Sequence, residues 1–247
     1  MTTKEAFFAR IRGEMGKTTG RFAASTAPRP PAPSRLVETI RRQLSERWPE
    51  TLERFRREFE RVGGDFHRVA SVADVPGLVA RIARERHGRR VVTWHPTALG
   101  ADLGNGLSAE GLETVTMPAA AIGDAGERAT LREKVAAAEI GLTGVDLAIA
   151  ETGSLVLVSG AGRPRSTALL PPYHVAVFDR EALVETLEQV GVFFEAWHEG
   201  ASEPGRGAAI HVITGPSRTA DIELTLTRGV HGPKEVHAIF VDAPVRG

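Results

Sequence analysis

The chain of 247 residues contains no cysteine. That absence excludes disulfides, a thiolate nucleophile, Cys-ligated zinc and any iron–sulfur cluster held by this chain's own thiolates. Net charge is missing too, because Lys plus Arg and Asp plus Glu number 31 each. No overall field draws in nucleic acid or an anionic membrane surface, so an anion site has to be local. Long apolar runs are also lacking. The N-terminus, MTTKEAFFARIRGEMGK, is charged throughout, and no window approaches the roughly 18 apolar residues of a spanning helix. The expectation is a cytoplasmic protein without a membrane span, without a nucleic-acid partner and without a metal site.

What is present falls into two parts. Residues 3–14 place Phe7, Phe8 and Ile11 on one helical stripe, and TAPRPPAPS (26–34) reads as a Pro-rich extended linker. A second amphipathic stretch follows, with Leu36, Ile40, Leu44, Leu52, Phe55 and Phe59, and stops at Gly63-Gly64. Residues 1–68 are therefore expected to be an N-terminal helical arm and 69–247 an α/β domain. Within the latter, RRVVTW, GLETVTM, VDLAIA, SLVLVSG, HVAVF, AAIHVITG and EVHAIFVD read as strands. Segments 129–144, 180–191 and 217–226 read as helices. This pattern predicts an open, mostly parallel sheet with helices on both faces, and an inserted antiparallel hairpin over 145–160.

Four polar turns carry the candidate chemistry. In AIAETGSLVLVSG, Glu151 falls at a strand end beside Thr152 and Gly153; it reads either as a carboxylate presented to a ligand or as a solvated turn residue. SGAGRPRSTALLPPYH offers Arg163, Arg165 and Ser166 in a glycine loop, parts suited to holding a carboxylate or phosphate, or equally a loop of solvated arginines. His174 opens the next strand, where a packed histidine is commoner than a base. In ITGPSRTADIELTLTRGVHGP, Gly215 and Pro216 turn the chain into Ser217, Arg218 and Thr219, read as a helix N-terminus that attracts an anion. Asp221 and Glu223 would diverge by about 200° on that helix. His231 sits between glycines, and a turn alone does not account for it. If the sheet were parallel here, these turns would gather at one edge.

Three of these segments, GLTGVDLAIAETGSLVLVSG, GRPRSTALLPPYHVAVF and ITGPSRTADIELTLTRGVHGPKEVHAIFVD, in this order and at this spacing, resemble the LUD-domain family and within it the lactate-utilisation C group. The resemblance covers the C-terminal half well and extends loosely back to about residue 70. It implies a fold similar to ribose-5-phosphate isomerase, glucosamine-6-phosphate deaminase and the CoA transferases. It also implies a part in oxidising L-lactate to pyruvate, beside two partners that resemble iron–sulfur oxidoreductases. The catalytic candidates are then Glu151 and His231, and the ligand-binding candidates are Thr152, Gly153, Arg163, Arg165, Ser166, His174, Gly215, Ser217, Arg218, Thr219, Asp221 and Glu223. The ligand expected at the strand-end loops is a small organic anion. A second reading is a stand-alone isomerase- or CoA-transferase-like enzyme with Glu151 as base or nucleophile. A third is a regulatory module that binds through its N-terminal helices. Hydride chemistry is disfavoured, because no dinucleotide fingerprint is present.

Overall fold

The computed structural model describes residues 3–17, 30–120, 122–199, 206–220 and 226–245. Residues 26–29 of the Pro-rich stretch, together with Asp221 and Glu223, lie outside these described residues, and its last two residues, Pro33 and Ser34, already belong to a helix. The chain forms two compact units, Met1–Pro31 and Ala32–Gly247. The first carries helix α1 (Lys4–Lys17). The second opens with α2 (Pro33–Arg61), which starts on a proline suited to the first helical turn and runs unbroken through Pro49.

After α2 come β1 (Asp65–Val69), α3 (Val75–Glu85), β2 (Arg90–Thr93), the short helices α4 (Pro96–Leu99) and α5 (Gly104–Ala109), β3 (Glu113–Thr116), α6 (Ala125–Ala137) and β4 (Ile140–Gly144). They continue as β5 (Leu147–Ile149), β6 (Ser154–Gly160), α7 (Ser166–Leu169), β7 (Tyr173–Phe178), β8 (Leu183–Val184) and α8 (Leu187–Trp197). The last elements are β9 (Arg206–Ile213), β10 (Arg218–Ala220), β11 (Leu226–Arg228) and β12 (Glu235–Val241). Six strands pair in the order β1-β12-β7-β4-β2-β3, every pair parallel. A smaller sheet runs β8-β5-β6-β9, with β6 antiparallel to both neighbours. The expected open parallel sheet and the inserted hairpin are thus both present.

Side chains of β2 alternate between two cores. Val91 joins the main core, and its neighbour Val92 joins a separate cluster with Met117, Val135 and Ala138 from the α6 side, so helices cover both faces. Leu52, Phe55 and Phe59 of α2 belong to the main core, with Phe55 edge-on to Phe66 and Phe178. Residues 33–61 accordingly pack with the compact unit that holds both sheets.

Three local expectations are corrected. The helix read over 129–144 ends at Ala137, and Ile140–Gly144 is β4 in the middle of the parallel sheet. Its five residues are all buried, so no alternation marks it as a strand. The helix read over 180–191 starts later: Asp179 and Thr186 each cap a new turn, and α8 runs Leu187–Trp197 straight through Gly191. Finally, Arg218–Ala220 is a strand paired antiparallel with Leu226–Arg228 and is no helix start. Ile222, Leu224 and Leu226 alternate with polar residues in the sequence, the period of a strand.

Candidate functional site

Placing β3 outside β2 and returning to lay β4 on its other side makes a topological switch point between β2 and β4. Beside it, the segments that follow β4, β7 and β12 line a cleft of about 490 Å³. Asp146, Asp179 and Val245 come from those segments, Leu99 from α4, Arg41 from α2, and Phe193 and Trp197 from α8. Asp146 holds Arg163 through a 3.1 Å ion pair and accepts the Val158 amide at 2.7 Å. Asp179 accepts the amides of Glu181 at 2.9 Å and Val245 at 2.6 Å. Glu181 leans out beside Arg180 at 3.4 Å. Arg41 is the cation on this lining, within reach of the Glu181 and Asp179 carboxylates. It donates to the Leu183 carbonyl at 3.2 Å and lies 4.5 Å from the Phe193 ring centroid. Burial lowers its pKa, opposed by the nearby carboxylates of Glu181 and Asp179.

The glycine loop after β6 closes one side of the switch point. His95 donates its amide to the Gly162 carbonyl at 2.8 Å, and the Trp94 indole reaches Pro164 at 3.3 Å. Arg163 is thereby anchored to Asp146, Arg165 is exposed, and Ser166 lines a second cavity beside α6.

The turns expected to gather at one edge divide between two. Because β6 is antiparallel to β5 and β9, the Glu151-Thr152-Gly153 turn and the Thr214–Ser217 turn share one end of the smaller sheet. Hydrogen bonds of 2.7 Å from Thr152 to Ser154 and from Ser154 to Thr214 join them. The Arg163 loop stands at the other end of the seven-residue β6, about 20 Å away. Convergence at a single edge would require parallel strands, and these three are not parallel.

At that far end the residues hold α2 and α8. A Cβ on Gly153, whose φ is +61°, would lie 2.3 Å from the Phe59 amide nitrogen. One on Gly215, with φ +73°, would lie 2.4 Å from the Val62 carbonyl. Arg218 donates to that same carbonyl at 2.9 Å and so closes the C-terminus of α2. The Glu151 carboxylate accepts the Leu187 amide at 2.8 Å, at the first turn of α8. The Ser217 amide donates to the Pro233 carbonyl at 2.9 Å, and His231 is exposed nearby in sequence.

His174 is fully buried and shares a 2.9 Å hydrogen bond with Thr143. Burial, with a smaller effect from His237, drives its pKa down to about 3. From the middle of β1 His67 meets His237 of β12 at 3.1 Å, and burial takes His67 down to about 4. Asp65, Glu235 and His237 bring ligand-type atoms within 4.8 Å of one another. Glu235 is taken by the Arg86 guanidinium, a cation that opposes a metal ion there.

Arg41, Asp146 and Asp179 are site residues that sequence reasoning missed. Asp146 and Asp179 each directly follow a strand of the parallel sheet or come within two residues of its end, a position that could have marked them. Arg41 sits on an amphipathic helix among many arginines and carries no local signal.

Comparison with known proteins agrees with this architecture. The LUD domain model matches residues 52–241, from within α2 to the end of β12. Lactate utilization protein C of Halalkalibacterium halodurans is 36% identical over 165 residues, covering 66% of this chain and 67% of that protein. Its counterpart in Shouchella clausii is 34% identical over 128 residues, about half of each chain at 52% and 55%. The Exiguobacterium sp. protein of the same name aligns over 242 residues at 28% identity, covering 98% of this chain and 96% of that one. A crystal structure of a DUF162 family protein from Deinococcus radiodurans shares the fold, with a TM-score of 0.50 and 22% identity over 78% of this chain and 97% of that chain. Since the matched region takes in all six strands of the parallel sheet and the turns packed around α2, the chain belongs to the LUD-domain family.

Proposed function

We propose that this protein is a component of an L-lactate utilisation system, working beside iron–sulfur partner proteins in the cytoplasm. The observation that carries the reading is the alignment over 98% of the chain with a lactate utilization protein C, which leaves neither the sheet nor the first helices unmatched. The lack of cysteine accords with a division of labour in which electrons pass through clusters on other chains. A small organic anion of the 2-hydroxy or 2-oxo acid class is proposed to bind in the strand-end cleft. Arg41 would face its carboxylate, and the carbonyl and carboxylate oxygens around Arg41 would accept from a hydroxyl.

Glu151 is assigned no chemical step in this reading, because its carboxylate is engaged at the start of α8. The stand-alone isomerase or CoA-transferase alternative needs that carboxylate, and no observation favours it. The anion is tested by calorimetric titration of L-lactate and pyruvate into the purified chain at low ionic strength. Saturable binding that Arg41→Ala weakens at least tenfold supports the site, and binding indifferent to Arg41 overturns it.

A further inference from the structure

The second cavity, about 670 Å³, lies between α6 and the loop after β6. Its body is apolar, built from Met117, Leu131, Val135 and Leu170. Among the described residues its charged lining residues are Arg128 and Arg132, both on exposed positions of α6, and no Asp or Glu lines it. Two arginines four apart on a helix repel each other, and an anion between them relieves the repulsion. Arg128 is also held in place: one of its terminal nitrogens donates to the carbonyls of Ile122 at 3.1 Å and Gly123 at 2.9 Å. A guanidinium has five N–H donors in a fixed fork, so these two bonds fix its plane and leave three donors unused by them. Leu170 lines the cavity and is 56% exposed, an apolar side chain left open to solvent.

We infer that this cavity is a binding site for an amphipathic organic anion, with an apolar body against Leu131, Val135 and Leu170 and a carboxylate or phosphate head on Arg128 and Arg132. The volume lies within the few hundred to about 1,000 Å³ typical of sites that enclose drug-sized or cofactor-sized molecules, far more than a three-carbon acid fills. The site is distinct from the strand-end cleft, whose lining residues it does not share. It is independent of the role proposed above, since it rests on the lining of this chain alone.

The test is calorimetric titration of the full chain with octanoate, which has an apolar body and a charged head. Octanamide keeps the body without the charge, and L-lactate keeps the charge without the body. Octanoate should bind saturably, octanamide at least tenfold more weakly, and neither should compete with lactate. Arg132→Ala should weaken octanoate about tenfold and leave octanamide unchanged. Leu170→Glu, a change at an exposed position that spares the fold, should abolish octanoate binding, and Arg41→Ala should not alter it. Equal binding of octanoate and octanamide, no saturable binding of octanoate up to its solubility limit, or retention of binding in Leu170→Glu would each overturn the site. Because octanoate binding is read without lactate turnover, failure of either proposal leaves the other standing.

Discussion

A carboxylate that accepts a backbone amide at the first turn of a helix is in a favourable place whether or not it also does chemistry, because unpaired donors and the helix dipole meet it there. Glu151 does this for Leu187. A glutamine oxygen can accept the same bond, so Glu151→Gln should lower stability by less than about 1 kcal/mol. It should also leave lactate turnover with the partner proteins within twofold. A variant that folds and binds its partners normally but turns nothing over would make Glu151 catalytic. Gly153 is the opposite case. Alanine there meets the α2 backbone at 2.3 and 2.4 Å while holding a positive φ, and should cost more than about 2 kcal/mol by urea denaturation. Unchanged stability would show that α2 does not seat on this turn.

The buried histidines set a pH dependence of their own. His174 and His67 have folded pKa values near 3 and 4, below the ordinary 6.5, so the unfolded chain takes up protons that the folded chain refuses. Their stabilising effect is complete above 6.5 and fades as the pH falls from there toward 3. The urea midpoint should therefore drop between pH 7 and 5, each histidine contributing up to about 1.4 kcal/mol per pH unit. His67→Gln should flatten that slope, and a midpoint flat across the window contradicts the burial argument.

At the scale of elements, the polar turns were legible in the sequence as places where the chain must bend tightly, and their glycines do occupy left-handed or crowded positions. Their destination was not legible. Whether Gly153 and Gly215 approach a ligand or a helix depends on α2, more than ninety residues earlier in the chain, and glycine spacing alone does not distinguish the two. The central strand β4 escaped notice for a related reason: buried on both faces, it has no alternation, and it follows α6 after two residues. Arg218 likewise looked like an anion ligand because proline and serine precede it, yet it closes the end of α2. Arg218→Ala should cost about 1 kcal/mol through the lost bond to Val62 and leave any anion affinity unchanged. Loss of lactate binding in a stably folded Arg218→Ala protein would return the anion site to that turn.

Across the whole molecule, the alternation of strands and helices was enough to anticipate a parallel sheet, because few other architectures bury such runs. The switch point between β2 and β4 depends on strand order, which short apolar runs do not encode. The described residues include no helix long and apolar enough to cross a membrane. Since the first unit ends at Pro31, a chain lacking residues 1–31 should unfold cooperatively at nearly the same temperature as the intact protein. Loss of the transition on truncation would make that unit part of the core.

The role we propose for this chain is to complete a lactate-oxidising assembly whose electrons travel through clusters on partner proteins. It is tested most directly by L-lactate-dependent reduction of an artificial electron acceptor by the purified iron–sulfur partners, measured with and without this protein. The account predicts that adding the chain raises the rate at least severalfold, saturates at a fixed ratio to the partners, and gives no turnover when the chain is present alone. A rate unchanged by its addition, or lactate oxidation by the chain on its own, would contradict it.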